Sequence, residues 1–352
     1  MDRRWRVAAG CGLIGLIFLV VQLGALALVE PFESAGFQAV EDPSDPTNSL
    51  VYIGAILVAT AVMLAAFRYN VDQLIRGLIV FSGVWLSLYV FQVVVPPVLT
   101  AGGFNLVAVA LAGAIGVGLL VHPEWYVIDI AGAVMGAAAA GLFGISFGIL
   151  PALVLLTVLA VYDAISVYGT EHMLTLASGV MDLKVPVVLV IPLTLSYSFL
   201  DAEMPDPKGD KESADETPTD QAVADGEGAG SDDGEVDDAD AATDGEPTAD
   251  GPLERDALFI GLGDAVIPTV LVASAAFFAP SGVETVLGIP FPSLTAMVGT
   301  FVGLAILLWM VLKGRAHAGL PLLNGGTIAG YLVGSLAVGI SLIEALGLGP
   351  YL

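Results

Sequence analysis

Nine apolar stretches dominate the 352-residue chain, and most of them are long enough to cross the hydrocarbon core of a bilayer. Apolar residues make up 56% of the chain, and its mean hydropathy is +0.86. The sequence therefore predicts an all-α polytopic protein, multi-pass in the cell membrane. The nine predicted transmembrane helices cover about 10–29, 50–67, 71–95, 103–121, 126–145, 148–168, 257–279, 291–312 and 320–343.

The positive charges predict the orientation. If the N-terminus is cytoplasmic, the outer connections at 30–49, 96–102, near 146 and 280–290 and the C-terminal tail hold no Lys or Arg. Membrane proteins concentrate these residues at cytoplasmic ends, so the pattern predicts a cytoplasmic N-terminus and an outside C-terminus. All eleven then lie at inner ends: Arg3, Arg4, Arg6, Arg68, Arg76, Lys184, Lys208, Lys211, Arg255, Lys313 and Arg315.

The first apolar run has some features of a secretory signal peptide. Arginines within residues 3–6 precede it, and Ala25-Leu26-Ala27 resembles a cleavage site. The run is long, however, and continues through Leu28 and Val29. We therefore expect an uncleaved first span.

A strongly acidic segment divides the chain. The net charge is −25, and residues 201–256 hold 21 acidic residues against three basic ones. This segment has almost no large apolar side chains, so it is predicted to be a disordered cytoplasmic loop. The loop separates an N-terminal membrane part, 1–200, from a C-terminal one, 257–352. Acid also outnumbers base elsewhere, which is typical of adaptation to high salt and argues against a nucleic-acid partner.

Two further segments precede the acidic loop. Residues Glu171–Asp182 show the pattern of a short amphipathic helix. Residues Val185–Phe199 are apolar but short for a span, and Pro186 and Pro192 interrupt them. A strand-like or interfacial segment is expected there.

Two carboxylates lie inside predicted spans. On insertion scales, a charge within a span costs about 2.5–3.5 kcal/mol, so such an acid is a functional candidate. Asp163 lies ~8 Å from the inner end of the sixth span, and Asp264 ~10 Å from the inner start of the seventh. The two helices are consecutive and antiparallel. The acids are therefore predicted to face each other at matched depth.

Facing carboxylates in a low-dielectric site tend to share one proton. One can then activate water while the other polarises a scissile carbonyl, with no metal or other cofactor. Gly261 and Gly263 leave space for a substrate backbone beside Asp264. The helix break at Pro321 frees main-chain groups that an extended substrate strand is expected to pair with.

These residues resemble the motifs of the presenilin and signal peptide peptidase family of intramembrane aspartyl proteases. Tyr162-Asp163 is similar to its YD motif and Gly261-Leu262-Gly263-Asp264 to its GxGD motif. Pro321-Leu322-Leu323 is similar to its Pro-Ala-Leu motif, with Leu322 in place of alanine.

The resemblance implies a nine-helix protease, archaeal-like and from a halophile, that cleaves transmembrane helical proteins in the bilayer. By that analogy, its substrates have their N-termini outside. Asp163 and Asp264 would be catalytic. The expected substrate-positioning residues are Tyr162, Gly261, Leu262, Gly263, Pro321, Leu322 and Leu323.

Two other classes of function remain open. Paired intramembrane acids also occur in proton- or cation-coupled transporters, and a catalytically silent membrane chaperone would bind without turnover.

Other candidate sites are weaker. Asp129 is expected to be interfacial and solvated. Ser146 matches a GxSxG pattern, but the histidines lie at the opposite surface, so it is interpreted as a turn residue. A single cysteine, Cys11, and three scattered histidines predict no metal site.

Overall fold

The computed structural model describes residues 3–69, 71–168, 186–194, 197–200, 257–313 and 318–351. The predicted acidic loop 201–256 and the predicted helix Glu171–Asp182 lie outside them. The nine long helices of the described residues are α1 Arg3–Ser34, α2 Thr47–Arg68, α3 Asp72–Val94, α4 Leu106–Val121, α5 Trp125–Ser146, α6 Ile149–Tyr168, α7 Leu262–Phe277, α8 Phe291–Val311 and α9 Gly319–Ala337.

These helices follow the predicted order. Seven are long and apolar enough to cross a membrane, while the apolar helices α4 and α7 have 16 residues each. The fourth begins later than predicted because residues 100–105 form a hairpin, β1 Thr100–Ala101 with β2 Phe104–Asn105. The side chain of Asn105 then caps α4 by accepting from the N–H groups of Val107 and Ala108.

The prediction of a helix from residue 257 was wrong. Residues Ala257–Gly261 form strand β4, and α7 begins at Leu262. β4 pairs antiparallel with β3, Val188–Pro192, in a register from Val188 opposite Gly261 to Pro192 opposite Ala257. The strand-like alternative for the segment before the acidic loop is thereby confirmed for these five residues.

The connections alternate between the two ends of the bundle. At one end, Gly148 after α5 donates its N–H to the carbonyl of Pro43 (2.7 Å), and the hydroxyl of Tyr351 donates to the carbonyl of Ser44 (2.7 Å). Near the start of α3, Arg76 donates to the carbonyl of Leu119 in the last turn of α4 (3.3 Å). A cation is favourable at the C-terminal end of a helix. The predicted orientation requires such an alternation, because it assigns successive connections to opposite sides of the membrane.

Helices α8 and α9 meet without a layer of side chains between them. A methyl group at Gly326 would collide with the carbonyl oxygen of Gly299, and one at Gly299 with that of Gly326. Beside this contact, the hydroxyls of Thr300 and Thr327 form a 2.7 Å hydrogen bond. Glycine on both helices thus allows their backbones to approach closely.

Helix α9 ends earlier than predicted, at Ala337 rather than 343. Gly339 adopts a left-handed conformation (φ 82°), and its N–H and that of Ile340 donate to the carbonyls of Leu336 and Ser335. This is a Schellman ending. A four-residue helix, α10 Leu342–Ala345, follows it. A further two-residue hairpin, β5 Thr285–Val286 with β6 Ile289–Pro290, precedes α8.

Candidate active site

Asp163 lies near the end of α6 and is buried, with 6% of its surface exposed. Its Oδ2 accepts a 3.1 Å hydrogen bond from the main-chain N–H of Leu320. Leu320 is the second residue of α9, where an N–H has no partner within the helix. Asp163 therefore satisfies a free donor of a helix that is distant in sequence. The positive end of the α9 dipole also favours a carboxylate at this position.

Asp264 lies in the first turn of α7, not two turns inside a helix as predicted. The five residues before α7, Ala257–Gly261, are extended in β4, so the helical rise used to predict the depth of Asp264 does not apply. Asp264 is partly exposed because it lines a cavity of about 180 Å³. The remaining lining residues come from α1, β4, α8 and the residue that follows it, and α9: Cys11, Ile14, Leu258, Phe259, Ile260, Gly261, Leu307, Leu308, Val311, Leu312 and Gly319.

The N-terminus of α9 brings the two acids together. Leu320 contacts Asp163, and an ideal Cβ built on its neighbour Gly319 would lie 3.2 Å from Oδ2 of Asp264. The two carboxylates therefore lie against consecutive residues, 319 and 320, at the start of α9. The arrangement thus holds both acids at one helix end, and the cavity that Asp264 lines is large enough for water.

The glycines before Asp264 lie beside open space. A Cβ on Gly261 would meet only the carboxylate of Asp264, at 3.6 Å from Oδ2, and a Cβ on Gly263 would meet no other atom within 4 Å. Gly261 is extended (φ −64°), so its backbone conformation does not require glycine. The remaining physical reason for a glycine at position 261 is the space that it leaves beside the carboxylate of Asp264.

The other predicted positioning residues divide into two groups. Leu262 and Leu323 are buried and belong to the apolar cluster that joins α1, the sheet and α8. Leu322 packs against the same cluster and does not line the cavity.

Tyr162 and Pro321 are less enclosed. Tyr162 is 37% exposed, whereas its neighbour Asp163 faces inward. Pro321 is the third residue of α9, so its missing N–H falls in the first turn, where none is needed.

The predicted pairing of a substrate strand with the start of α9 needs a correction. The N–H of Leu320, which would be one of the free donors there, is already bonded to Asp163. The structure instead presents an extended segment, β4, in the wall of the cavity.

The prediction of a solvated Asp129 was wrong. This residue of α5 is only 7% exposed, and its Oδ1 accepts a 2.8 Å hydrogen bond from the N–H of Val190 in β3. Position near a helix end did not reveal that the side chain faces the sheet.

The alternative chemistries find no support among the described residues. Ser146 is buried, and its hydroxyl accepts from the N–H of Ala39 (3.0 Å), so it acts as a structural acceptor at the end of α5. His122 contacts the hydroxyl of Tyr126 at 3.0 Å, while His172 and His317 lie outside the described residues. No group of three potential metal ligands occurs in the described part of the chain.

Sequence reasoning missed two residues of this site, Gly319 and Leu320. Their contacts with the acids arise from main-chain position and from the absence of a side chain. The available signal was the glycine two residues before Pro321, at the start of a predicted span.

Comparison with known proteins agrees with the geometry. The family model described as signal-peptide peptidase, presenilin aspartyl protease matches residues 15–340. A presenilin family intramembrane aspartate protease solved in space group C222 is 30% identical, with a TM-score of 0.59, over 93% of this chain and 99% of that one. Its structure in space group P2 gives 31% identity and a TM-score of 0.56, over 92% of this chain and 96% of that one. No curated protein sequence matches significantly.

These comparisons give no support to the transporter alternative. Together with two acids that lie against the start of α9, one of them lining a cavity in an apolar helical bundle, they assign the chain to the signal peptide peptidase and presenilin family of intramembrane aspartyl proteases.

Proposed function

We propose that Asp163 and Asp264 are the catalytic pair of this protease. The single observation that carries the proposal is the convergence of both carboxylates on residues 319–320, beside a cavity that Asp264 lines. In this mechanism one carboxylate accepts a proton from water while the water oxygen attacks the carbonyl carbon of the scissile bond. The other, protonated, donates to the carbonyl oxygen of the scissile bond. The resulting diol collapses, and the departing amine takes up a proton.

The substrates we propose are transmembrane helices that unwind locally at the site. A peptide bond inside a helix is shielded by side chains and by the backbone hydrogen bonds on either side. An extended segment exposes it and can pair with a strand edge. β4, which ends three residues before Asp264, provides such an edge in the cavity wall.

We also propose nine transmembrane spans, with α4 and α7 as short ones, a cytoplasmic N-terminus and an outside C-terminus. The distribution of Lys and Arg and the alternating connections support this topology. The cleaved helices would have their N-termini outside. The acid excess supports a halophilic, archaeal-like source, in which dense negative charge keeps surfaces solvated at high salt.

Cleavage of a model transmembrane substrate by the purified protein tests the dyad. Asp163→Ala and Asp264→Ala should each reduce turnover at least ~10³-fold, with products identified by mass spectrometry. Ser146→Ala is the matched control, because it removes the other candidate catalytic side chain, and it should retain turnover. Undiminished turnover in Asp264→Ala would end the proposal.

A further inference from the structure

The hydrogen bonds between β3 and β4 determine which backbone groups face outward. The N–H of Leu262 donates to the carbonyl of Val187 at 2.8 Å, directly beyond the pair Val188–Gly261. Along an antiparallel ladder, residue pairs that are hydrogen-bonded to each other alternate with pairs that are not. The pair Val190–Phe259 is therefore not hydrogen-bonded across the sheet, and both residues direct their N–H and C=O groups away from it.

The outer edge of β3 is closed. The outward N–H of Val190 is bonded to Asp129, and Pro192, two residues further along the same edge, has no N–H. Helix α5 also approaches β3 closely. A Cβ on Gly132 would lie 3.1 Å from Cδ2 of Leu189. A proline and a carboxylate bonded to an outward N–H both hinder another strand from pairing with this edge, while α5 packs on the sheet beside it.

The carboxylate of Asp129 is costly at this position. Its Oδ2 is buried without a hydrogen-bond partner among the described residues. A half-satisfied buried polar group loses more solvation than one hydrogen bond returns. The stability of the fold therefore does not explain well why position 129 is an acid. Binding the outward N–H at the edge of β3 explains it specifically.

We infer that Asp129 is a positioning residue for proteolysis. It fixes β3 from α5 and occupies the outer edge of the sheet, so the opposite edge, that of β4, is the one left for an incoming strand. Because β4 leads directly into Asp264, fixing β3 also sets which peptide bond of the substrate lies beside the dyad. The inference rests on the proposed pairing of substrate with β4.

The test compares Asp129→Ala with Asp129→Asn, which retains an acceptor for Val190. Active enzyme is counted by titration with a hydroxyl-isostere inhibitor, and products are mapped by mass spectrometry. Per active site, we expect Asp129→Ala to lower kcat/KM about tenfold and to spread cleavage over neighbouring bonds. Asp129→Asn should restore the wild-type product pattern. Glu124→Gln, in the residue that precedes α5, is the control and should leave the pattern unchanged.

The outcomes separate this inference from the proposed function. An inactive wild-type protein would contradict the protease assignment itself. An active wild-type protein with the same products and kcat/KM in Asp129→Ala would overturn only the role of Asp129. Amide hydrogen exchange of peptide 188–192 in the wild type provides a check that needs no variant to fold. Slow exchange at Val190 is expected, and exchange as fast as in an exposed loop would also overturn the inference.

Discussion

The main-chain N–H of Leu320 donates a 3.1 Å hydrogen bond to Oδ2 of Asp163. The acid is thus held by a backbone group, whose position depends on α9 as a whole. The adjacent Gly319 lies beside the second acid, because a Cβ built on it would be 3.2 Å from Oδ2 of Asp264. The separation of the two carboxylates therefore depends on where α9 begins.

Gly319→Ala should impair catalysis without unfolding the protein. Its Cβ would lie 3.2 Å from Oδ2 and 3.4 Å from Cγ of Asp264, so the carboxylate would have to shift. Alanine is favourable in a helix, so the melting temperature should hold. We expect kcat to fall about tenfold, measured on a model transmembrane substrate. Gly325→Ala, in the same helix with no atom within 4 Å of its Cβ, should retain full kcat, and an unaffected kcat in Gly319→Ala would contradict the prediction.

Alanine at the two glycines before Asp264 should separate kcat from KM. A methyl group at Gly261 would touch the carboxylate itself, so Gly261→Ala should lower kcat. A methyl group at Gly263 would enter open space where we place the substrate, so Gly263→Ala should raise KM and preserve kcat. Steady-state kinetics check both effects. Wild-type kinetics in both variants would show that this space is not used by substrate.

Gly326→Ala should destabilise the fold through α8. Its Cβ would collide with the carbonyl oxygen of Gly299, a backbone atom that cannot rotate away. Overpacking of this kind costs about 1–3 kcal/mol or more. A melting curve in detergent should show the loss, while the neighbouring Gly325→Ala should melt at or above the wild-type temperature. Equal melting temperatures for the two variants would contradict the observed packing of α8 on α9.

Stability should depend on the ionisation of Glu124, which precedes α5. Burial raises the pKa of this carboxyl. Hydrogen bonds from Ser198, Phe199 and Trp125, together with the charge of His122, lower the pKa by more than burial raises it. The net shift is therefore downward from 4.5. A group whose folded pKa is lowered stabilises the fold above its unfolded pKa. That stabilisation, about 1 kcal/mol, is lost as the pH falls below about 4.5.

Chemical denaturation of the wild type and Glu124→Gln across this pH range measures that contribution. The difference in unfolding free energy between them should shrink as the medium becomes acidic. A difference that stays constant from neutral pH to below 4 would exclude this contribution.

Hydropathy was sufficient to predict the order of the long helices, because a segment that can span a bilayer is defined by its own composition. It failed at residues 257–261, where an apolar run fits a strand as well as a helix. The partner that decides between them, β3, lies more than 60 residues earlier in sequence. No local pattern contains that information.

The sequence singled out the two acids as candidates because a charge in an apolar run is conspicuous. Their surroundings could not be predicted in this way, since Gly319 and Leu320 act through main-chain atoms that every residue type carries. Asp129 was misinterpreted for a related reason. Its distance from a helix end was readable from the sequence, whereas the direction of its side chain depends on a sheet that the sequence did not reveal.

The contact of α8 with α9 links the site to the surrounding lipid. At Gly299 and Gly326 the backbones of the two helices are in close contact, so a tilt of α8 would also shift α9. The outward face of α8 carries exposed apolar side chains, Val298, Val302 and Trp309 among them. A bilayer thinner or thicker than this face changes helix tilt, and that change would reach residues 319–320, against which both acids lie.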